Sequence, residues 1–193
     1  MTKSGYHHGD LRATLLRATA DQIAAEGVDA VSLRALAQRV GVSHAAPAHH
    51  FGNRQGLLTE LAIEGFGLLA DELRAAAGDF RAVALAYIGF AREYPGHFDV
   101  MFRSDLLRSD DERLAAARRT SGAELRSGVT GLGLDPTAGR AAQLAAWSLV
   151  HGFASLWREG ALDGSELGGD DPEALARDMV AAVEFVGART DSA

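Results

Sequence analysis

The stretch SLRALAQRVGVSHAAPAHHFGNR, residues 32–54, decides the fold of this chain. Its first half places four apolar residues at the i, i+3, i+4 and i+7 positions of one helical face: Leu33, Leu36, Ala37 and Val40. Gly41 follows the last of them, and glycine ends a helix easily because it adopts the left-handed conformation without strain. The pattern therefore predicts a short amphipathic helix that stops in a tight turn at Gly41.

A second short helix is predicted directly after this turn. Ser43 can cap it by accepting a hydrogen bond from one of its first free N–H groups. Apolar pairs with the spacing of a hydrophobic staple flank both helix starts: Val31 with Leu36 around Ser32, and Val42 with Pro47 around Ser43. A helix, a turn containing glycine and a short second helix form a helix-turn-helix, whose second helix enters the DNA major groove.

The longer run from Asp10 to Leu58 resembles the DNA-binding domain of the TetR (tetracycline repressor) family of bacterial transcription regulators. The matching residues stand in register without a gap: Leu15, Leu16, Ala18, Ile23, Gly27, Ser32, Leu33, Arg34, Gly41, Val42, Ser43, His50, Phe51, Gly52, Asn53, Arg54, Leu57 and Leu58. The chain departs from the family at Pro47 and Ala48, where a bulky aliphatic residue and a phosphate-contacting tyrosine are usual. The resemblance implies an all-α fold, with an N-terminal three-helix head and a C-terminal helical body for ligand binding and dimerisation.

The composition agrees with an all-helical globular protein. The 193 residues are 47% hydrophobic and 23% charged with only 4 prolines, which favours a folded chain over a disordered one. No apolar run approaches the roughly 18 residues of a membrane span, and the N-terminus is too polar for a signal peptide. The absence of cysteine excludes disulfides and thiol-based redox sensing, so a cytoplasmic protein is predicted.

The net charge of −7 is distributed unevenly along the chain. Residues 1–58 hold six Lys and Arg against four Asp and Glu, a net charge of +2, which leaves −9 for the remainder. Five of the seven histidines also lie in this first part. Because phosphate neutralisation is local to the contact surface, this asymmetry fits a DNA-facing head on an acidic body.

Nine residues are predicted to contact DNA: Ser32, Arg34, Ser43, His44, Ala45, Pro47, His49, His50 and Arg54. Serine and histidine can hydrogen-bond to base edges or phosphates, and small Ala and Pro side chains can lie against thymine methyl groups. Arg34 and Arg39 are better placed for phosphate or flanking contacts. Arg54 stands near a predicted helix start, where free N–H groups favour an anion. In residues 1–9, the polar arm could reach the minor groove or could simply be solvated (Lys3, Tyr6, His7 and His8).

Asn53 is predicted to cap a connecting helix that runs to about Ala77. The predicted domains are therefore a helix-turn-helix head at 1–52, the connecting helix at 53–77 and a ligand-binding and dimerisation domain at 78–193. Within the last domain, apolar periodicity predicts helices after Gly78-Asp79, at 97–102, at 110–128, at 137–159 and from Pro172 onward.

The helix at 137–159 is apolar on more than one face. One face holds Leu144, Trp147, His151 and Ala154, and another holds Val150, Phe153 and Trp157. A helix that is apolar nearly all round must be buried on two sides, which indicates a partner subunit in a chain this short. The family resemblance implies a homodimer through the last two long helices, the last of which has a seam of Leu175, Met179, Ala182, Val183 and Val186. A twofold dimer would bind double-stranded DNA at a palindromic operator.

The resemblance also implies a small organic ligand held in the body. Seven residues are predicted to bind it: Tyr87, Phe90, Phe98, Met101, Phe102, Trp147 and His151. Each of them could instead be a packing residue, and His151 could bond to a backbone carbonyl while Trp147 packs beside it. The Trp147-x-x-x-His151-Gly152 run is similar to a W-x3-HG signature of one TetR subgroup. His97 is expected to face the solvent.

Other classes of function find little support in the sequence. The His pairs lack ligand spacing, since helical neighbours face different sides, and no HExxH or cysteine is present, so no metal site is predicted. No catalytic motif or cofactor motif appears, and the chain is predicted not to be an enzyme. Two alternatives stay open: a constitutive DNA binder without a ligand, and a helical interaction protein that has lost DNA binding through Pro47 and Ala48.

Overall fold

The computed structural model describes residues 8–130, 136–163 and 171–183. This part of the chain is helical and contains no strand, which confirms the all-α prediction. In chain order, its α-helices are α1 (His8–Glu26), α2 (Leu33–Val40), α3 (Ala45–Phe51), α4 (Arg54–Ala75), α5 (Phe80–Glu93), α6 (Pro95–Met101), α7 (Glu112–Thr130), α8 (Pro136–Arg158) and α9 (Pro172–Ala181). Short 3-10 turns lie at Val28–Ala30 and Ser104–Leu106. Among the described helices, none combines the length and hydropathy that crossing a membrane requires.

The helix-turn-helix begins and ends where its local signals predict. The Ser32 hydroxyl accepts a hydrogen bond from the Ala35 N–H at 3.2 Å, so Ser32 caps α2. Gly41 closes that helix in the left-handed region, with φ of 74°. Val31 and Leu36 on either side of the Ser32 cap are both buried, as a hydrophobic staple requires.

The start of α3 differs from the prediction. The helix is capped at His44 and begins at Ala45, and no side chain makes a capping hydrogen bond, so the predicted Ser43 cap was wrong. Instead, the Ser43 carbonyl accepts from the Ala46 N–H at 3.0 Å. Pro47 is the third residue of the helix, within the first turn, where an N–H has no intrahelical acceptor. Its missing N–H therefore costs α3 no hydrogen bond.

The described helices group into two compact units, each made of two separate stretches of the chain. Unit 1 contains the described residues up to Phe66 together with Tyr94–Ala117. Unit 2 contains Gly67–Glu93 and the described residues from Arg118 onward. Sequence order alone cannot show this grouping, because α6 follows α5 in the chain but packs against α1.

Unit 1 is built around α1, which packs against α2 and α6. Its centre is filled by fully buried aliphatic side chains: Leu15, Ile23, Leu36, Leu57, Leu58, Leu61 and Met101. α6 approaches α1 closely at Gly96, where a Cβ atom would lie only 2.0 Å from the carbonyl oxygen of Ala20. The absence of a side chain at Gly96 therefore sets the distance between the two helices.

Unit 2 is built around α5, which packs against α8 and α9. Its core contains Leu73, Val83, Tyr87, Phe90, Val150, Ala154, Ala176 and Val180. The other side of α8 is uncovered in the single chain: Leu144 is 61% exposed and Leu156 is 46% exposed. Gly152 lies between them along the helix and has nothing within 4 Å of where a Cβ atom would stand.

Most helix limits agree with the sequence pattern within two residues. α4 ends at Ala75 rather than Ala77, and α8 spans Pro136–Arg158 where 137–159 was predicted. Asn53 caps α4 as predicted, since its Oδ1 accepts from the Gly56 N–H at 2.8 Å. Predictions for residues 1–7 and for Val186 lie outside the described residues.

Candidate nucleic-acid interface and ligand site

One face of α3 is exposed and carries only small and imidazole side chains. His44, Ala45, Ala48 and His49 are exposed, and His50 is half-buried against Phe51 with ring centroids 6.1 Å apart. No lysine or arginine lies on this helix. A face of this composition can hydrogen-bond through its imidazoles and approach a groove closely at its alanines.

Pro47 does not belong to this face. Its side chain is buried, so the predicted contact between Pro47 and a thymine methyl group was wrong. The reason is helical geometry: Pro47 and Phe51 are four residues apart and share the side of α3 that packs into unit 1. Pro47 is therefore a core residue of the head.

The residues predicted to contact DNA on α2 and just before each of the two helices are exposed to solvent. Ser43 and Arg34 are exposed, and Ser32 is exposed with its hydroxyl engaged in capping α2. Arg39 is also exposed, but its guanidinium donates to the Glu26 carboxylate at 2.6 Å. Hydrogen bonds to Glu26 from Gln22 and then from Arg39 lower the pKa of that carboxyl group.

Arg54 has a structural role that the sequence did not reveal. Its guanidinium donates to the carbonyls of Val31 at 3.0 Å and Val28 at 2.6 Å, and lies 3.9 Å from the Asp29 carboxylate. The predicted phosphate contact of Arg54 stays a prediction beside this role. Arg54 ties the start of α4 to the turn between α1 and α2.

A second ionic cluster in unit 1 was missed altogether. The Glu60 carboxylate pairs with the guanidinium groups of Arg12 and Arg113, so it connects α4 with α1 and α7. The Arg12 guanidinium also lies 5.6 Å from the centre of the Phe51 ring, a cation–π distance. These partners are 48 and 53 residues apart from Glu60 in the chain, and no local pattern marks them.

In unit 2, three of the predicted ligand residues form one hydrogen-bonded group. The Tyr87 hydroxyl lies 2.9 Å from Nδ1 of His151 and 3.4 Å from Nε1 of Trp147. An indole N–H can only donate, so the Tyr87 oxygen accepts from Trp147. The direction of the bond between Tyr87 and His151 depends on the imidazole tautomer: Tyr87 donates when the imidazole proton is on Nε2. Phe90, the fourth predicted ligand residue in this unit, is buried.

The ionisable members of this group are held neutral. Burial raises the pKa of the Tyr87 phenol above its ordinary range, and burial lowers the pKa of the half-buried His151 imidazole. A neutral imidazole is required if Nδ1 is to accept the proton of Tyr87. His151 therefore has a phenol hydroxyl as a side-chain partner.

Stability is expected to fall as the pH is lowered because of His151. An imidazole whose pKa is lowered in the folded chain binds protons more readily in the unfolded chain, so stability rises with pH between the two values. This contribution is complete above about 6.5, the ordinary value, and is lost as the pH falls toward the lowered one. Urea unfolding from pH 7.5 to pH 5.5 should show a smaller loss for His151→Gln than for the wild type. Equal losses would contradict the assignment.

The other three predicted ligand residues lie in unit 1. Met101 and Phe98 are buried, and Phe102 makes edge-to-face contacts with Phe98 and Phe66, both with centroids 5.6 Å apart. The seven predicted residues therefore form two groups, one in each unit.

His97, in the same helix, is buried rather than solvent-facing as predicted. Its Nε2 atom lies 3.7 Å from the Glu64 carboxylate, which is close for a charge interaction but too long for a hydrogen bond. Interaction with His97 lowers the pKa of Glu64. Across the part of the chain that the structure describes, no three His, Cys, Asp or Glu side chains are grouped closely enough to hold a metal ion.

Comparison with known proteins agrees with this geometry. The sequence model described as "Bacterial regulatory proteins, tetR family" matches residues 15–61, and that described as "Tetracyclin repressor-like, C-terminal domain" matches residues 80–183. An HTH-type transcriptional regulator of Mycobacterium tuberculosis is 29% identical over 161 residues, which cover 80% of this chain and 71% of that protein.

Two solved structures show the same fold. A protein of unknown function from Rhodococcus sp. RHA1 superposes with a TM-score of 0.75 at 31% identity, and the match covers 93% of this chain and 96% of that one. A tetR-family regulatory protein from Rhodococcus RHA1 superposes with a TM-score of 0.66 at 21% identity, over 88% of this chain and 93% of its own.

A helix-turn-helix with an exposed recognition helix, followed by a matching C-terminal domain, defines a DNA-binding transcriptional regulator. The chain belongs to the TetR family of bacterial regulators, as the resemblance of residues 10–58 predicted. The predicted W-x3-HG subgroup stays a prediction.

Proposed function

We propose that this protein is a cytoplasmic, homodimeric repressor that binds a palindromic operator and is released from it by a small organic ligand. The observation that carries the proposal is the exposed face of α3 on a head whose preceding helix is capped by Ser32 and closed by the left-handed turn at Gly41. The proposal has three parts, which are DNA reading, dimerisation and ligand response, and each rests on different residues.

DNA reading is supported by the separation of surface and core on α3. The exposed residues His44, Ala45 and His49 can reach base edges, while Pro47 and Phe51 hold the helix on unit 1. Because Pro47 lies in the first turn and breaks no hydrogen bond, the departure from the family pattern at this position leaves the recognition helix intact. This weighs against a protein that has lost DNA binding.

Dimerisation is supported by the uncovered side of α8. Leu144 and Leu156 are exposed large apolar residues, and Trp147, at 40% exposure, lies at the edge of the same side. Exposed small residues, Ala145 and Ser148, stand between the leucines and allow another helix to approach. A second copy is the occupant that fits, because the same apolar strip on two α8 helices is self-complementary about a twofold axis.

Ligand response is supported by the neutral group of Tyr87, His151 and Trp147 among buried aromatic side chains. Uncharged hydrogen-bonding groups in apolar surroundings suit a small organic molecule with one or two polar atoms. A ligand can bind more tightly to a dimer conformation whose head spacing does not fit the operator. By linkage, it then weakens operator binding by the same factor by which the operator weakens ligand binding. Couplings of roughly 1–3 kcal/mol correspond to about 5–150-fold, which suffices for release.

Binding of the purified protein to its own upstream DNA at two salt concentrations tests the proposal. A complex of dimer size that weakens steeply with salt is expected, because the slope of log K against log salt concentration is about −0.9 for each phosphate neutralised. Where upstream DNA gives no complex at low salt, selection from random duplexes decides. Failure of that selection to enrich a palindrome would refute operator binding by this chain.

The two arginines near the head are expected to give opposite results in that assay. Arg34→Ala should lower operator affinity and reduce the salt slope by about 0.9, while leaving the urea midpoint unchanged, because Arg34 is exposed. Arg54→Ala should lower the free energy of unfolding by about 1–3 kcal/mol, because the Val28 and Val31 carbonyls lose a charged donor. If Arg54→Ala instead reduces the salt slope and keeps full stability, Arg54 contacts a phosphate and does not stabilise the fold.

A further inference from the structure

Arg108, far beyond the helix-turn-helix in sequence, contacts the end of the recognition helix within unit 1. Leu107 is buried, and its carbonyl accepts from the Gln55 side-chain amide at 3.2 Å. The Arg108 N–H donates to the hydroxyl of Thr59, itself buried, at 3.0 Å. These two bonds fix the backbone at Leu107 and Arg108 on the first two turns of α4.

From this fixed backbone the Arg108 guanidinium reaches the turn between α3 and α4. Its Nη2 atom lies 3.4 Å from the carbonyl oxygen of Phe51, the last residue of α3, and 3.4 Å from Oδ1 of Asn53, the cap of α4. Both acceptors already define the turn: Phe51 accepts from the Asn53 N–H at 3.0 Å, and Asn53 accepts from the Gly56 N–H. Arg108 therefore adds one charged donor shared by the two ends of the turn.

Two glycines lie against the guanidinium. A Cβ atom at Gly56 would stand 2.1 Å from the Phe51 carbonyl oxygen and 2.6 Å from Nη2 of Arg108, so the missing side chain admits both groups. A Cβ atom at Gly52 would stand in ordinary contact with the same Nη2 atom, at 3.4 Å. Gly52 is also the residue with positive φ, 78°, that ends α3. The turn is thus shaped so that an arginine side chain fits against it.

The recognition helix depends on contacts at this end. α3 has only seven residues, its start has no side-chain cap, and helices so short are marginal without tertiary contacts. A positive charge beside the last carbonyls of α3 also complements the dipole of that helix. Without the Arg108 contacts, the C-terminal end of α3 would still be held by the buried Phe51 ring.

We propose that Arg108 is a positioning residue for operator binding, which holds the turn at residues 51–53 and so fixes the angle of the recognition helix. The proposal rests on the reading of the operator by α3 and adds a residue that acts through that helix rather than on DNA. The apparent affinity is then the intrinsic affinity multiplied by the fraction of heads that keep the binding-competent angle.

Three variants of the full-length protein test this role. Arg108→Met keeps the aliphatic stem and removes the donors, and Arg108→Lys keeps a charged donor. Arg113→Met is the matched control, because Arg113 lies in the same segment and pairs with Glu60 and Asp111 without touching α3. Arg108→Met should lower operator affinity about tenfold with an unchanged salt slope, since no phosphate contact is lost. Arg108→Lys should recover part of the affinity, and Arg113→Met should bind like the wild type.

Hydrogen exchange in the absence of DNA gives the second readout. Amides of α3 and of the turn at 51–53 should exchange about tenfold faster in Arg108→Met, while those of α1 and α2 stay protected. This result stands even when no operator is found, so failure of the proposed function is distinguishable from failure of the positioning role. Unchanged exchange together with unchanged affinity overturns the proposal, and so does a salt slope reduced by about 0.9, which would make Arg108 a phosphate contact.

Discussion

Replacing Gly96 with alanine is expected to destabilise the protein strongly, because the added methyl group must push two helices apart. The new Cβ atom would lie 2.0 Å from the Ala20 carbonyl oxygen and 2.9 Å from the Ala20 Cα atom. The position of the Cβ atom is fixed by the Gly96 backbone, and the atoms that it meets are backbone atoms of Ala20. No rotamer change can therefore relieve the contact, and α6 must move away from α1. Overpacking of this kind costs about 1–3 kcal/mol, and we expect the upper end of that range. Urea unfolding followed by circular dichroism measures it.

Gly67→Ala is the matched control for this substitution. Gly67 lies in α4, is exposed and has nothing within 4 Å of an added Cβ atom. Alanine there should stabilise the protein by about 0.5–1 kcal/mol, because glycine is the poorer helix former. Opposite signs for the two variants would confirm the close approach at Gly96. A Gly96→Ala protein as stable as the wild type would show that α1 and α6 are farther apart.

Replacing both Leu144 and Leu156 with glutamate is expected to give a folded monomer with little operator affinity. Both leucines are exposed in the single subunit, so the fold of one chain tolerates the charges. At the proposed dimer interface, however, four carboxylates would lose water without gaining partners. A monomer contacts only one half-site, and the loss of linked binding lowers affinity by at least about a hundredfold. Sedimentation velocity and operator titration measure the two effects.

The matched control changes the same positions to methionine. Methionine keeps the apolar surface and nearly the volume of leucine, so Leu144→Met with Leu156→Met should stay dimeric and bind DNA like the wild type. A dimeric glutamate variant would place the interface on another surface of the chain. A monomeric glutamate variant with full affinity would remove the need for a twofold complex.

Local signals made the helix-turn-helix predictable. The cap at Ser32, the left-handed glycine at Gly41 and the cap at Asn53 each act within four residues, so sequence spacing shows them directly. The wrong prediction of the α3 cap also came from a local signal. Ser43 has a side chain typical of a cap, yet His44 occupies the cap position. A serine carbonyl that accepts the turn hydrogen bond replaced the expected hydroxyl.

Contacts between distant segments were not predictable from local patterns. Arg54 was interpreted by its place at a helix start, but its guanidinium is taken by carbonyls 23 and 26 residues earlier. Burial of His97 likewise follows from the packing of α6 within unit 1, and its sequence neighbours Pro95 and Gly96 gave the opposite impression. The hydrogen bond from Tyr87 to His151 spans 64 residues, so spacing could nominate its members but not join them.

The division of α3 into a buried side and an exposed side also makes this protein suitable for re-engineering. Ala45 and Ala48 project from the surface of the recognition helix, and neither contributes to the core of unit 1. Longer side chains can be introduced at these two positions without repacking Pro47 or Phe51. A library varied at Ala45 and Ala48 alone would therefore sample new operator preferences on an unchanged scaffold, with each added arginine able to recognise a guanine through its O6 and N7 atoms.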